Sequence, residues 1–283
     1  MTETTAISDE TLEQLKITLL EIMSDFDAFC KTHQLSYFLI GGTLLGAVRH
    51  KGFIPWDDDL DVVMPRDDYQ RFIKLFHEEA QTKYVIQSIE TDENYWLPFA
   101  KLRKNLTLYD DLPTRYVESH RGIFIDIFPL DHAQEPDHKG QGRKVKLAKL
   151  LRKIADFKTT ALFSKDTGSK GKYLVKNTVA TLFKPFSTHQ ILMWQKRIIT
   201  SLGNAESDYY INVGSQYNFK KQTMPKDVYH PPKQLEFEGR SFDVPGEYEV
   251  VLKRIFSENY MELPPEDKRQ THAPARIIFD TTI

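Results

Sequence analysis

The sequence holds one cysteine, Cys30. That excludes an intrachain disulfide framework and any cysteine-based zinc cluster. It has no apolar run approaching the roughly 18–20 residues that a membrane-spanning helix needs. The opening stretch, Met1 to Glu10, lacks a basic region and an apolar core, so no secretory leader is expected there. An excess of one charge sign is missing too. The 38 Lys and Arg stand against 40 Asp and Glu, a net charge of −2, which excludes a generically basic nucleic-acid binder. There is no internal repeat and no long low-complexity tract. What is there is 283 residues, 40% hydrophobic and 28% charged, a globular composition. A chain of this size can bury about 75% of its unfolded surface. A soluble, cytoplasmic protein of one large or two small domains is expected.

Leu12, Leu15, Leu19, Ile22, Met23 and Phe26 recur at spacings of three and four, which predicts an amphipathic helix over 9–35 with Ser8 or Asp9 as its cap. Tyr37 to Ile40 is a short apolar run closed by Gly41-Gly42, a buried strand entering a tight turn. A helix opens at Thr43 and reaches Arg49. Leu60 to Met64 reads as a strand stopped by Pro65, and Asp67 or Asp68 can cap a helix over 69–80. Tyr84 to Ser88 is a strand, with weaker strand candidates at 99–103 and 106–109. Gly122 to Phe128 is a strong strand, ended by Pro129. Strands alternating with helices to about residue 130 indicate an α/β or α+β core. Residues 190–283 mix short helices with proline-rich turns and complete the fold.

Two features between Gly41 and Val63 carry chemistry. Gly41-Gly42-Thr43 lies between a strand and a helix; glycines admit close approach of a ligand, and helix N-terminal N–H groups bind anions. Asp59 and Asp61 flank Leu60, so the period of two puts both carboxylates on one face of a strand. Their repulsion is costly unless a cation sits between them, and oxygen-only ligands favour Mg²⁺ or Mn²⁺. Asp126 lies in the most apolar strand of the core, where an ionised carboxylate needs a partner or a metal. Beside Asp59 and Asp61 it would complete a three-carboxylate site. The plain structural alternative is an edge-strand Asp capping a nearby helix.

The segment 139–184 differs in kind. It carries thirteen Lys or Arg and two acids, a local charge of +11, which leaves −13 for the rest of the chain. Helical periodicity persists through it, and Ser164 to Gly171 reads as a flexible connection between two helices. It has two readings: core-packed helices with a solvated basic face, or a surface docking on anionic lipid or a lipid-linked acceptor.

The stretch 37–61 resembles the LicD family, which includes fukutin-like proteins, within the nucleotidyltransferase-fold superfamily. That superfamily pairs a Gly-Gly or Gly-Ser turn with Asp-x-Asp on the next strand and a third Asp on a later one. Gly41-Gly42-Thr43, Asp59-Leu60-Asp61 and Asp126 match. Met64 to Tyr69, Gly122 to Asp131, Leu235 to Gly239, Pro245 and Tyr260 to Pro265 also resemble the family's pattern; the basic segment is covered least. Sixteen residues separate Gly42 from Asp59, more than in simple nucleotidyltransferases, which disfavours a plain adenylyltransferase.

The resemblance implies a nucleotidyltransferase-like mixed sheet with flanking helices: a core with its N-terminal helix over 1–135, a basic helical insertion over 136–190, and 191–283 completing the same fold. It implies transfer of a phosphorylated small group from a CDP-linked donor to a sugar hydroxyl, foremost phosphocholine from CDP-choline to a teichoic-acid precursor or surface glycan. The glycan acceptor can be lipid-linked. Ribitol- or glycerol-phosphate transfer, true nucleotidyl transfer from an NTP and an inactive scaffold are the alternatives. Asp59, Asp61 and Asp126 would hold Mg²⁺ or Mn²⁺, and Asp126 could instead accept the hydroxyl proton. Asp57 or Asp58 could position a water or the acceptor. Gly41, Gly42 and Thr43 would touch donor phosphate. Arg49, Lys51 and Arg103 are candidate phosphate partners or else surface charges, and His120 is a weaker base candidate. A choline group would need aromatic faces or carboxylates; Trp56, Tyr95, Trp96, Tyr109 and Tyr116 lie near the motif in sequence.

Overall fold

The apolar stripe of the first helix decides how the sheet is covered. In the computed structural model, which describes residues 7–79, 82–111, 113, 116–166, 170–269 and 274–281, helix α1 spans Asp9–Thr32. Residues 1–6 of the opening stretch, Ala80, and residues 167–169 of the basic segment's connection lie outside the described residues. Leu15, Leu19, Ile22, Met23 and Phe26 are all buried, each worth about 1.5–3 kcal/mol over exposure. Ser8 caps the helix by accepting from the Thr11 amide. It ends before Leu35 because Gln34 turns left-handed, with φ +54°.

The chain continues as β1 (Phe38–Leu39), α2 (Gly41–His50), β2 (Asp61–Pro65), α3 (Arg66–Glu78), β3 (Tyr84–Gln87), β4 (Ala100–Lys104), β5 (Leu108–Asp110) and β6 (Phe124–Ala133). Helices α4 (Gln141–Asp166), α5 (Lys170–Leu182) and α6 (Thr188–Thr200) follow. Then come β7 (Tyr209–Ile211), α7 (Phe219–Gln222), β8 (Thr223–Pro225), β9 (Lys233–Phe237), β10 (Arg240–Val244), α8 (Tyr248–Phe256) and β11 (Arg276–Ile278). The main sheet runs β1-β2-β6-β4-β3, with β7 on β6 and β8 on β7. β2 and β6 are parallel and the other pairs antiparallel. This is the mixed α+β core expected. Among the described residues, no helix is long and apolar enough to cross a membrane.

Three boundaries differ from the sequence reading for local reasons. Pro129 does not end β6, which runs on to Ala133. The Asp126 amide donates to the Leu60 carbonyl just before β2, so by alternation residue 129 faces the other edge. There β4 pairing ends at Ile127 and β7 pairing begins at Asp131, and a missing N–H costs nothing in that gap. Helix α3 starts at Arg66 with Pro65 before it, so neither Asp67 nor Asp68 is the cap. Asp68 instead accepts from the Ser36 amide. And β5 leaves the main sheet to pair with β11.

α3 is tied to β6 by a buried two-pronged pair. Arg66 Nε and Nη2 donate to the two Asp131 oxygens at 2.7 and 2.8 Å. Phe72 of α3 meets Phe26 and Phe29 of α1 edge-on, so the two helices share one apolar layer. α4 packs along α6 through Val145, Ala148 and Ile199, and through Ile154, Ile191 and Leu192.

α2 is crossed closely by the loop that leads to the acidic strand. A Cβ on Gly46 would lie 2.4 Å from Gly52 O and 3.3 Å from Ile54 N. Both are backbone atoms, so the loop itself would have to move. Gly46→Ala is therefore expected to lower stability by about 1–3 kcal/mol, despite the better helix propensity of Ala. Calorimetric melting checks this; an unchanged or raised midpoint would show that the loop yields freely.

Candidate active site

The glycine turn and the acidic strand are fastened to each other by backbone geometry. The Asp61 amide donates to Thr43 Oγ1 at 2.9 Å, and the Ile40 amide donates to the Asp61 carbonyl at 3.2 Å. Gly41 has φ +59°, and Gly41 and Gly42 are the first residues of α2, not a turn before it. A Cβ on Gly42 would lie 2.7 Å from Asp57 Oδ2, and one on Gly41 would lie 3.3 Å from Asp61 Oδ2. The glycines thus make room for carboxylates against the start of a helix that no side chain caps. The positive end of the helix dipole offsets part of the carboxylates' repulsion.

A cavity of about 610 Å³ opens here, walled by Gly41, Gly42, Asp57, Asp59, Asp61 and Asp126. The parallel register sets Asp61 beside Asp126, and Leu60, just before the strand, is buried in the core. Burial, then Asp59, Asp126 and Asp57, push the Asp61 carboxyl well above the usual range, and Lys101 only partly offsets them. Asp58 is not on this wall; it is buried and accepts from the Tyr109 hydroxyl at 3.4 Å.

Asp126 has a partner that the sequence reading did not assign. Lys101 is its cross-strand neighbour on β4 and donates to Asp126 Oδ1 at 2.6 Å. The ammonium also sits 3.3 Å from the Phe124 ring centre. Burial, then Arg103, lower the Lys101 pKa, and Asp126 works against them. A second cation comes from far along the chain. Arg152 of α4 lines the acidic cavity and donates to the Gly214 carbonyl. The loop it holds contributes Asn212, Gly214, Ser215, Gln216 and Tyr217 to the wall. The nearest sequence sign was a Gly-Ser pair following an apolar strand at 209–211.

Arg49, Lys51 and Arg103 are not on this cavity's wall. Arg49 donates to the carbonyls of Tyr260 and Glu262 at 3.2 and 3.1 Å, holding the C-terminal segment. Lys51 closes α2 in the left-handed region and pairs with Glu236 at 3.4 Å on the surface. Arg103 is buried, donating to Gln87 Oε1 at 2.6 Å and to the Gly122 carbonyl at 2.9 Å. It lines a smaller cavity of about 220 Å³ together with Trp96, Tyr109 and His120. His120 faces Asn105 Oδ1 at 3.0 Å and accepts from the Gly122 amide, a structural setting in which burial, then Arg103, hold its pKa low. Of the aromatic residues singled out, only Trp56 lines the acidic cavity; Tyr95 is fully buried and Tyr116 is on the surface. The rings that do line it with Trp56 are Phe99, Phe128, Tyr217 and Phe256.

Among the described residues, no group of three His, Cys, Asp or Glu side chains is already gathered as a metal cage. The acidic side of the cavity nonetheless gathers the carboxylates of Asp57, Asp59, Asp61 and Asp126, and burial, then their mutual repulsion, raises the Asp61 pKa. That chemistry suits a hard divalent cation, with Asp126 shared between it and Lys101.

The LicD/FKTN/FKRP nucleotidyltransferase domain matches residues 34–149, from the end of α1 through the acidic strands into α4. The lipopolysaccharide cholinephosphotransferase LicD of Haemophilus influenzae is 32% identical over 264 residues, covering 93% of this chain and 96% of that protein. Uncharacterized proteins of Rickettsia typhi and Rickettsia prowazekii are 36% and 33% identical over 75 and 86 residues. These cover 26% and 28% of this chain, and 24% and 32% of their own. With a nucleotidyltransferase-like mixed sheet, a glycine turn facing the acidic strand and a full-length relative, the chain belongs to the LicD family.

Proposed function

We propose that the chain transfers phosphocholine from CDP-choline to a sugar hydroxyl of a cell-wall, teichoic-acid or surface-glycan precursor. The observation that carries the reading is one cavity that combines four carboxylates with the rings of Trp56, Phe99, Phe128, Tyr217 and Phe256. A quaternary ammonium has no N–H to donate, so aromatic faces and carboxylates are what bind it. The Haemophilus relative, a cholinephosphotransferase by name, points the same way.

In the reaction the acceptor hydroxyl oxygen forms a bond to the phosphorus that bears choline. The bond from that phosphorus to the bridging diphosphate oxygen breaks, and CMP leaves with the electron pair. Asp126 or a neighbouring carboxylate takes the hydroxyl proton. Bound Mg²⁺ or Mn²⁺, held by Asp59, Asp61 and Asp126, would supply charge neutralisation to the diphosphate and the departing CMP. Gly41 and Gly42 present helix-start N–H groups to phosphate oxygens. Lys101 holds Asp126 in place through its hydrogen bond. Arg152 places a second positive charge on the wall, against the negative charge that develops on the leaving group.

The test is CMP release by the purified protein with Mg²⁺, comparing CDP-choline, CDP-ribitol and CDP-glycerol, with Asp59→Ala as control. Turnover of CDP-choline alone, lost in the control, is expected. Turnover only with another CDP donor would overturn the choline assignment. Pyrophosphate release from an NTP would replace it with nucleotidyl transfer.

A further inference from the structure

Helix α5 presents an apolar stripe to solvent. Leu174, Val175 and Leu182 are 66%, 56% and 70% exposed. With Thr178 they recur at helical spacing on one face, while Tyr173, Lys176 and Val179 turn inward. No side chain of α5 is buried, and Phe186 extends the exposed apolar surface just past its end. Three exposed leucine or valine side chains in one stripe cost solubility unless something covers them.

The charge around the stripe says what does. No Asp or Glu occurs from 167 to 205. Lys170, Lys172 and Lys184 are exposed at the two ends of the stripe. The whole 139–184 segment carries +11, and among the described residues its cations form no ion pair with a carboxylate. Those that have partners use neutral ones: Lys144 the Ser201 carbonyl, Lys158 the Phe183 carbonyl, Lys176 the Thr160 hydroxyl. A protein partner with a mixed surface would leave most of these lysines unmatched. A second copy meeting this face with its own α5 would bring +11 against +11. RNA would match the charge but not three aliphatic side chains.

We infer that α5 and its flanks are a docking surface for an anionic lipid bilayer, with Leu174, Val175 and Leu182 entering the headgroup boundary and the flanking lysines meeting lipid phosphates. An amphipathic helix with a basic border binds in this way, parallel to the surface. The inference does not depend on which group the active site transfers, and its test needs no substrate.

The full-length protein is sedimented with vesicles of phosphatidylethanolamine and phosphatidylglycerol, and with phosphatidylcholine vesicles for comparison. Binding to the anionic vesicles, weakened by salt, is expected. Leu174→Ser combined with Leu182→Ser should reduce it at least about tenfold, with circular dichroism and melting midpoint unchanged because both residues are exposed. Lys170→Glu combined with Lys172→Glu should reduce binding and flatten its salt dependence. No binding to anionic vesicles, or undiminished binding by the leucine variant, would overturn the inference. So would a dimer that the leucine variant dissociates, or tight RNA binding without vesicle binding.

Discussion

Asp61→Asn is expected to cut CMP release by about three orders of magnitude, equivalent to about 4 kcal/mol of transition-state stabilisation, while making the protein more stable. The two effects have one cause. The Asp61 carboxyl stands on the cavity wall with Asp59, Asp126 and Asp57 around it, and desolvation, then these charges, keep its pKa well above normal. Asn has the same shape without the charge, so the folded state loses a repulsion that it otherwise bears. A gain of about 0.5–2 kcal/mol is the usual size for relieving strain at a functional site. Turnover and calorimetric melting on the same preparation read both. A fall in activity with an equal fall in stability would assign Asp61 to the scaffold instead.

Arg66→Ala is expected to have the largest effect on folding. Its pair with Asp131 is bidentate, with both side chains almost wholly buried. Burial alone would lower the Arg66 pKa, but the Asp131 charge and hydrogen bonds outweigh it and raise it. Removing one partner leaves a desolvated carboxylate, a loss of about 3–5 kcal/mol. For a chain of this size that is on the order of 10 °C in melting midpoint. Replacing both residues, Arg66→Leu with Asp131→Leu, should recover most of the loss, since apolar side chains of similar volume need no counter-charge. If the double variant melts no higher than the single one, the pair is not what joins α3 to β6.

How far the sequence led can be judged from these residues. Asp59 and Asp61 both line the cavity, although the strand begins only at Asp61 and Asp59 stands in the loop before it, so the alternation read from the sequence holds for the approach to the strand and not for the strand itself. That Asp126 needs a partner followed from the apolar residues around it, and Lys101 is that partner. The register that puts Asp126 beside Asp61 did not follow, because it depends on how more than 60 intervening residues cross over. Lys101 was legible as a strand residue, but its pairing with Asp126 is a tertiary contact. Arg152 was one of thirteen cations in a basic segment, and nothing local sets it apart; only the packing of α4 against the 212–217 loop does. Arg49 and Arg103 stand off the acidic cavity's wall for the opposite reason. They stand close to the motif in sequence, but backbone carbonyls and Gln87 occupy their guanidinium groups.

α4 is one uninterrupted helix of 26 residues, about 39 Å long. Arg152 sits in its first half and the α5 hairpin hangs from its far end. The helix is therefore a lever arm with the cavity wall near its pivot. Whatever surface α5 rests on fixes the direction of that arm, and with it the compass bearing of the cavity mouth. Changing the length of α4 by one residue between Arg152 and α5 would rotate the hairpin by about 100° about that arm and re-aim the mouth without touching a single residue in it.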